Sequence, residues 1–469
     1  MKYLIWPISL FIAEYFFINF PVYYGLRIQI YLYLTFIFLA IVLDKGKISK
    51  DIFSKRIILF ICILLGMQLV SMIISYYRID IPQYNKNPIK TFVIFCSFIC
   101  SILIHYLVVR LNIKNVSDVN KFLRSGWISL VIILIICFVQ LFYVFAPSIF
   151  EPIVSLIGKT LEARWGGKDA TEINGTGFYN LGSYVQTTQR INGLTEEASS
   201  LATQLFVIFV PFLLSSIKNR YNVFLKNRKN ILSLYITLVM ILLLLMFART
   251  TAGFLFSGII LVLLINKINK IQKTFVVFIT VLIGLIIINY NFRSEYITES
   301  VNNYLINKDE NSVTNRLGST FALLKISLHN FLLGVGWEYH TYYIFENLPE
   351  WAKHNSEYYN FIERKEYPIM SVILSWVAGF GFLIVSCIVT YLIKTQKKFR
   401  KYSNKLLELK REESKLIKVL CDSSKYYLIF TLICSLFLYV WYASIYLIVY
   451  FFFLSTINVV KKSLIEKNF

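Results

Sequence analysis

Long apolar runs are the feature that most constrains this chain. Stretches of about 18 or more apolar residues, the length that carries a helix across hydrocarbon, recur along the whole sequence. Hydrophobic residues make up 57% of the composition and the mean hydropathy is +0.62, values that soluble domains rarely reach. The alternating pattern of a membrane β-barrel is absent. Because a backbone in lipid must satisfy its own hydrogen bonds, the runs predict helices, and residues 1–469 are expected to form a single all-α polytopic membrane domain.

The apolar runs predict about twelve transmembrane helices. The first run continues into further spans and lacks a strongly basic start and a small-residue cleavage site, so it is expected to be a retained helix rather than a signal peptide. The predicted spans are 3–20, 26–43, 57–77, 89–109, 125–147, 199–217, 230–247, 250–265, 274–290, 367–393, 426–440 and 442–460.

The charges between the spans predict the orientation. Segments that alternate to one side, together with the termini, carry 32 basic and 8 acidic residues, whereas the long segments 148–198 and 291–366 carry 11 basic and 16 acidic residues. Short loops rich in lysine and arginine stay in the cytoplasm, which predicts cytoplasmic termini and two long outer loops. The basic residues are spread over many loops, which argues against a nucleic-acid partner. The basic cytoplasmic loop 394–425 resembles an amphipathic helix that lies on anionic membrane lipids.

The ionisable and sulfur-containing residues inside the spans do not suggest a buried site. Six of the seven cysteines fall within predicted spans and none forms a CxxC pattern, so we predict no disulfide framework and no metal. A transporter would hold several ionisable groups at mid-membrane. Such groups are scarce in the spans of this chain, where Glu14 and His105 are the main cases. His105, His329 and His340 are interpreted as structural or packing residues.

Unusual polar residues gather instead in the first predicted outer loop. The stretch QRINGLTEEASSLATQLF places Arg190 and the pair Glu196–Glu197 just before a span. Negative charge at that position complements the helix dipole, which explains one glutamate and leaves the role of the other open. Arg190 has two interpretations: it either snorkels toward lipid headgroups or binds an anion.

Three more polar residues lie at predicted outer positions. Arg249, in FARTTAG, stands at a very short outer turn, against the positive-inside rule. Arg316, in TNRLGS, and His354, in WAKHNSEYY, belong to the second long loop. Arginine binds phosphate or pyrophosphate through paired hydrogen bonds and stays charged, and a glutamate or histidine beside it is a candidate general base. Both loops are longer than a connection requires, and long loops usually carry function.

The order of these motifs resembles that of Wzy-type O-antigen and capsule polymerases. The pattern R-x-x-G-L-T-E-E-x-S-x-x-A, which begins at Arg190, resembles the segment before a span in that family. FARTTAGFLF resembles its next polar turn, and NRLGSTFALLKISLHNFLLGVGW resembles its large late loop. Ala198 and Phe331 depart from the pattern, because proline is common at both positions in the family.

His354 followed by Asn355 is similar to the histidine of the related O-antigen ligases. The glycines that soon follow that histidine in the ligases appear here only at Gly379 and Gly381. The stretch PIMSVILSWVAGFGFL is an alternative match, and it would leave His354 outside the motif.

The resemblance implies a GT-C-like membrane glycosyltransferase in the bacterial inner, or cytoplasmic, membrane. It would join repeat units, with an undecaprenyl-pyrophosphate-linked oligosaccharide as both donor and acceptor, by an inverting reaction without a metal or other cofactor. Arg190, Arg249 and Arg316 would bind pyrophosphate, and Glu196 or Glu197, with His354 as a further candidate, would act as the base. A chain-length regulator and a flippase would be its protein partners. The alternatives are an O-antigen ligase, which transfers glycan to lipid A core, and a lipid-linked glycan flippase.

Overall fold

A computed structural model describes most of the chain, and within it the described residues form helices and no strands. Glu14, the predicted span 274–290 and the first part of the second long loop, 291–309, lie outside the described residues. The described residues are 2–13, 15–16, 29–43, 52, 54–164, 177–265, 310–365, 367, 369, 371–410, 413–437 and 440–465.

Seventeen α-helices can be followed through the described ranges, and two of them meet through a π-helical turn at Leu205–Phe209. In chain order they are α1 (Ile5–Pro7), α2 (Gln29–Leu43), α3 (Lys55–Arg78), α4 (Pro88–Asn112), α5 (Val116–Phe145), α6 (Pro147–Thr160), α7 (Tyr184–Thr188), α8 (Ala198–Gln204), α9 (Val210–Lys218), α10 (Leu232–Phe247), α11 (Thr251–Ile265), α12 (Glu310–His329), α13 (His340–Asn347), α14 (Ser356–Arg364), α15 (Val372–Glu408), α16 (Ser414–Ser435) and α17 (Ser444–Ile465).

Six helical segments among the described residues are long and apolar enough to cross a membrane, and three shorter apolar helices accompany them. Each of these overlaps a predicted span, so the prediction of a multi-pass helical membrane protein is confirmed. The full count of twelve spans and a GT-C-like arrangement stay predictions. The six long segments are Lys55–Arg78, Pro82–Asn112, Val116–Phe145, Ala198–Lys218, Val372–Glu408 and Ser444–Leu464; the shorter ones are Ile30–Leu43, Leu232–Phe247 and Thr251–Leu264.

The segment Ala198–Lys218, made of α8, the π turn and α9, is the central span. Its apolar window is 89% buried, compared with 22% for Lys55–Arg78. Phe206 stacks between Phe256 and Phe430, with ring centroids 4.1 Å from each. Pro211 has no N–H to donate one turn back, and the π turn just before it accommodates that missing hydrogen bond. The C-terminal end of the first long loop is therefore anchored on the span with the largest buried share among the six long segments described.

Helix α15 is broken near its start, at Gly381, where φ is 78°. The segment 331–337, which contains the glycines of HNFLLGVGW and is called the GxG segment below, runs alongside the break. Addition of a Cβ to Gly381 would place it 2.1 Å from the Leu332 carbonyl oxygen, so the close approach requires glycine. Three backbone hydrogen bonds join the two segments: Val335 N to Ala378 O (2.7 Å), Gly336 N to Gly379 O (3.0 Å) and Phe382 N to Phe331 O (2.7 Å).

Polar side chains of α3 add further hydrogen bonds to the backbone of this irregular pairing. Gln68 donates from Nε2 to the Gly379 carbonyl at 3.1 Å and accepts from the Trp337 N–H at 2.9 Å. Ser75 donates from Oγ to the Val335 carbonyl at 2.6 Å. Non-helical backbone beside apolar spans is tolerated where protein buries it and supplies such partners.

Most described residues of the basic segment 394–425 belong to two helices, and their contact with membrane lipids stays a prediction. Residues up to Glu408 continue α15, and residues from Ser414 onward form the first turns of α16. Helix α16 packs back on α15 as a hairpin. Gln396 donates to the Cys421 carbonyl at 3.0 Å and accepts from Ser424 Oγ at 2.7 Å, while Phe399 is fully buried. An amphipathic stripe has the same period whether it faces a lipid surface or another helix, so the pattern alone did not distinguish the two.

Candidate functional site

The first predicted outer loop folds onto the N-terminal end of the central span. Its last residues are held by Gln140 of α5, which donates to the Gly193 carbonyl at 2.9 Å and accepts from the Gly193 N–H at 2.7 Å. Asn192 bridges the turn, with Nδ2 donating to the Thr195 carbonyl at 2.6 Å. Gly193 has φ +62°, a conformation that favours glycine. These contacts fix the chain between Arg190 and the two glutamates.

Arg190 reaches the short turn between α10 and α11. Its Nε donates to the Ala248 carbonyl at 3.4 Å, and its guanidinium lies 5.8 Å from the centre of the Tyr184 ring. The side chain is half-buried rather than extended toward solvent. The structure therefore brings Arg190 to the residue next to Arg249.

Arg249 occupies a tight helix–helix turn. It is 5% exposed and has φ 49°, an uncommon conformation for a residue with a side chain. Thr250 begins the next helix by accepting the Gly253 N–H on its Oγ1 at 2.8 Å, and a Cβ on Gly253 would lie 2.3 Å from the Leu245 carbonyl oxygen. A buried arginine in a strained turn is costly to maintain, which is a common property of functional positions.

Glu196 is buried just before the start of α8. It is 2% exposed, and its Oε1 accepts a hydrogen bond from Ser200 Oγ at 2.5 Å. Its Oε2 has no hydrogen-bond partner among the described residues. Burial, and secondarily the charge of Glu197, raise the pKa of the Glu196 carboxyl to about 7. Such a carboxyl can accept a proton near neutral pH.

Glu197 has a different environment. It is the N-cap residue of α8, but its side chain accepts from the Ser199 hydroxyl and from no backbone N–H of the first turn. It is half-buried. Of the two glutamates, Glu197 is the one at the helix terminus, where negative charge is favourable, and Glu196 is the one that points into protein.

Two residues that sequence reasoning missed belong to the same region. Glu162 is fully buried and accepts from the Tyr184 N–H at 3.1 Å and from Asn192 Nδ2. Its pKa is raised to about 7, mainly by burial. Arg164 donates to the carbonyls of Gly158 and Gly182, and its guanidinium lies 5.3 Å from the Tyr179 ring. Neither residue carries a sequence signal beyond being a charge in a long loop.

Tyrosines and alanines join these groups into one cluster. Tyr179, Tyr184, Ala198 and Ala248 pack together, and Tyr179 donates its hydroxyl to the Glu196 carbonyl oxygen at 2.6 Å. We call the set of charged residues around this packing the arginine cluster. It contains Arg164, Arg190, Arg249, Glu162, Glu196 and Glu197. Chemically, it combines guanidinium groups suited to phosphate oxygens with two buried carboxyls, Glu162 and Glu196, whose pKa is raised to about 7.

Arg316 and His354 lie together in another part of the described chain. Arg316 is an exposed residue of α12, and its neighbour Asn315 pairs side-chain amides with Asn355 at 3.0 Å. His354 is 69% exposed and has φ 68°; its Nδ1 lies 3.4 Å from the Tyr359 hydroxyl. The predicted site residues are thus divided into two groups, one in the arginine cluster and one beside the Asn315–Asn355 pair.

Neither a metal site among the described residues nor a similar known protein identifies the function of these groups. Across the described ranges, no group of three or more histidine, cysteine, aspartate or glutamate residues is placed to hold a metal ion, and the metal independence of the reaction stays a prediction. Comparison with family models, characterised proteins and solved structures gives no match.

Proposed function

We propose that this protein is a membrane glycosyltransferase that polymerises glycan repeat units carried on undecaprenyl pyrophosphate, at the outer face of a bacterial inner membrane. The observation that carries the proposal is the arginine cluster, in which Arg190 meets the turn of Arg249 and the same loop carries a buried carboxyl with an unpartnered oxygen. The motif order that resembles repeat-unit polymerases adds the substrate class.

Arg190 and Arg249 would bind the pyrophosphate of the donor. Negative charge develops on that group as its bond to the sugar breaks, and fixed donors aimed at developing charge are usually the largest catalytic contribution. Arg249 is held by burial, and Arg190 is held by Ala248 and Tyr184, so both can be preorganised. Arginine supplies charge without a metal ion.

Glu196 would act as the general base. A hydroxyl of the acceptor sugar attacks the anomeric carbon of the donor, and the carbon–oxygen bond to pyrophosphate breaks as the new glycosidic bond forms. The acceptor proton moves to Glu196 Oε2, and undecaprenyl pyrophosphate leaves with the electron pair. Attack opposite the leaving group inverts the anomeric centre. The pKa of about 7 leaves a substantial fraction of Glu196 ionised at neutral pH, as this step requires.

Arg316 would bind the pyrophosphate of the second lipid-linked substrate. Polymerisation joins two such substrates, and the division of the arginines between two parts of the chain supports two anion sites. We assign His354 no proton transfer, because its ring is 69% exposed and water competes for its contacts.

The test is glycan length in a deletion strain that expresses Arg190→Ala. We expect long chains to disappear and single repeat units to remain, with the protein still inserted at normal levels. Loss of one such electrostatic contact typically lowers the rate by about 10²–10³. Arg78→Ala is the matched control, because Arg78 is an exposed residue at the end of α3 that contacts Asn330 only at 3.4 Å.

Three other outcomes would contradict the proposal. Unchanged glycan length in Arg190→Ala would show that the arginine cluster is not the polymerase site. Complete absence of glycan on its acceptor in the deletion strain would indicate a ligase instead. Repeat units trapped on the cytoplasmic face would indicate a flippase.

A further inference from the structure

A cavity of about 210 Å³ lies where the GxG segment, the start of α15 and the connection between α16 and α17 meet. It contains none of the residues of the arginine cluster. The cavity is lined by Trp337, Glu338, His340, Thr341, Ser375 and Trp376, and by Trp441 and Tyr442 from the connection, with Phe380 and three aliphatic residues completing it.

The aromatic rings of the cavity are held in place by other rings. Trp337 stacks on Phe98 with centroids 4.8 Å apart, and Trp376 meets Trp441 edge-on at 4.8 Å. Phe98 also touches Trp441 edge-on, at 5.9 Å. Rings fixed this way present rigid, flat apolar faces that lose little conformational entropy when a ligand binds.

Polar groups are interleaved with these rings. The Trp376 indole Nε1 is buried and has no hydrogen-bond acceptor among the described residues. His340 Nε2 lies 3.0 Å from the Ser375 carbonyl oxygen, which can only accept, so the neutral ring keeps Nδ1 as an acceptor. Burial lowers the pKa of His340, which favours that neutral form. Glu338, at φ 68°, carries a carboxylate that also pairs with Lys86 at 3.0 Å.

We propose that this cavity binds one pyranose ring of a glycan. A pyranose has C–H bonds on its faces, which pack on aromatic rings, and hydroxyls around its edge, which need both donors and acceptors. The residues lining the cavity carry an imidazole nitrogen, the Thr341 hydroxyl and the Glu338 carboxylate for that edge. A hydrocarbon chain would offer no partner to the buried His340 ring nitrogen, and this is costly.

The size of the cavity agrees with a single sugar. Pockets for drug-sized ligands measure roughly 300–1,000 Å³, and this one is smaller at about 210 Å³. In the proposed function the sugar would belong to one of the two repeat units. The inference rests on the proposed function only for where the glycan comes from. The binding of a sugar ring in the cavity is argued from the residues that line it.

The test is binding of oligosaccharide to the purified full-length protein in detergent, followed by intrinsic tryptophan fluorescence. The probe is the lipid-free repeat-unit oligosaccharide released by mild acid from the native host's own surface glycan. We expect Trp441→Ala to weaken its binding by about tenfold, the usual range for loss of a stacking ring. Trp351→Ala is the matched control, because Trp351 is 52% exposed and lies outside the cavity lining.

Thr341→Val keeps the shape of its side chain, removes one hydroxyl, and decides the question if Trp441→Ala does not fold. Weaker oligosaccharide binding in the cavity variants, with unchanged binding in Trp351→Ala, supports the proposal. Equal binding of the oligosaccharide by the folded cavity variants and the control overturns it. Farnesyl phosphate serves as a second probe, for a lipid chain in the cavity. If the cavity variants lose farnesyl phosphate binding and keep oligosaccharide binding, the proposal is also overturned. Arg190→Ala should bind the oligosaccharide normally while losing polymerisation, so failure of this inference and failure of the proposed function are distinguishable.

Discussion

Substitution of Glu196 by glutamine tests the electrostatic description of the arginine cluster. Glu196 is 2% exposed, and its pKa is raised from 4.5 to about 7, first by burial and then by the neighbouring charge of Glu197. The folded protein therefore holds this proton over a pH range in which the unfolded chain releases it. Stability from this group is fully present below about pH 4.5 and is lost as the pH rises through about 7.

The size of the effect follows from the pKa difference. A rise from 4.5 to about 7 corresponds to roughly 3 kcal/mol of unfolding free energy lost between acidic and alkaline pH. Glutamine resembles the protonated carboxyl and can still accept from Ser200, so Glu196→Gln should remove that loss. Glu162, whose pKa is also raised to about 7, should keep a similar pH dependence of its own.

The assay is chemical unfolding in detergent micelles at pH 5 and pH 8, for the wild type, Glu196→Gln and Glu197→Gln. We expect the wild type to lose more stability between the two values than Glu196→Gln does. Glu197→Gln removes a half-buried carboxyl at the helix terminus and should keep most of the dependence. If Glu196→Gln and the wild type change equally with pH, Glu196 is not a buried proton acceptor and the mechanism loses its base.

Two more predictions concern the broken helix and the exposed histidine. Gly381→Ala should lower the unfolding free energy by about 2–5 kcal/mol, because the new Cβ meets the Leu332 carbonyl and φ is positive. Gly66→Ala is the control and should be tolerated, because nothing lies within 4 Å of a Cβ at that position. Equal midpoints of the two variants in a denaturant titration would show that the close pairing at Gly381 is wrong. His354→Ala should leave glycan length unchanged on gels, because its ring is 69% exposed, and collapse of the ladder would show that the base assignment is misplaced.

The membrane helices could be predicted from sequence because hydropathy is a local property. Nine apolar helices among the described residues overlap predicted spans, and the ends of the central span differ from the prediction by one residue each. The packing of the basic segment after Lys394 could not be predicted in the same way. Phe399 is fully buried and Gln396 hydrogen-bonds to Cys421 of α16, and the choice of a packing partner is a tertiary property.

The candidate site could be predicted only in part. Arg190, Arg249 and Glu196 were recognisable as charges at the ends of spans, and the structure brings Arg190 to Ala248, the residue next to Arg249. Glu162 and Arg164 were not recognisable, because their burial depends on contacts with residues about 20–30 positions later, Tyr184 and Asn192 among them.

The pairing of the GxG segment with the break at Gly381 was also beyond sequence reasoning. The glycines of both segments were visible, but they lie about 45 residues apart in the chain. Only the fold shows that Gly334 and Gly381 are glycines because the backbone of the other segment lies against each of them. The cavity proposed for a sugar ring depends on this pairing.

The most direct test of the central claim is polymerisation by the purified protein in liposomes supplied with undecaprenyl-pyrophosphate-linked repeat units. We predict a ladder of longer lipid-linked glycans with release of undecaprenyl pyrophosphate, without added metal, and loss of the ladder in Arg190→Ala but not in Arg78→Ala. If the repeat units remain single with the wild-type protein, or if both variants make the same ladder, the account of the arginine cluster as a polymerase site is contradicted.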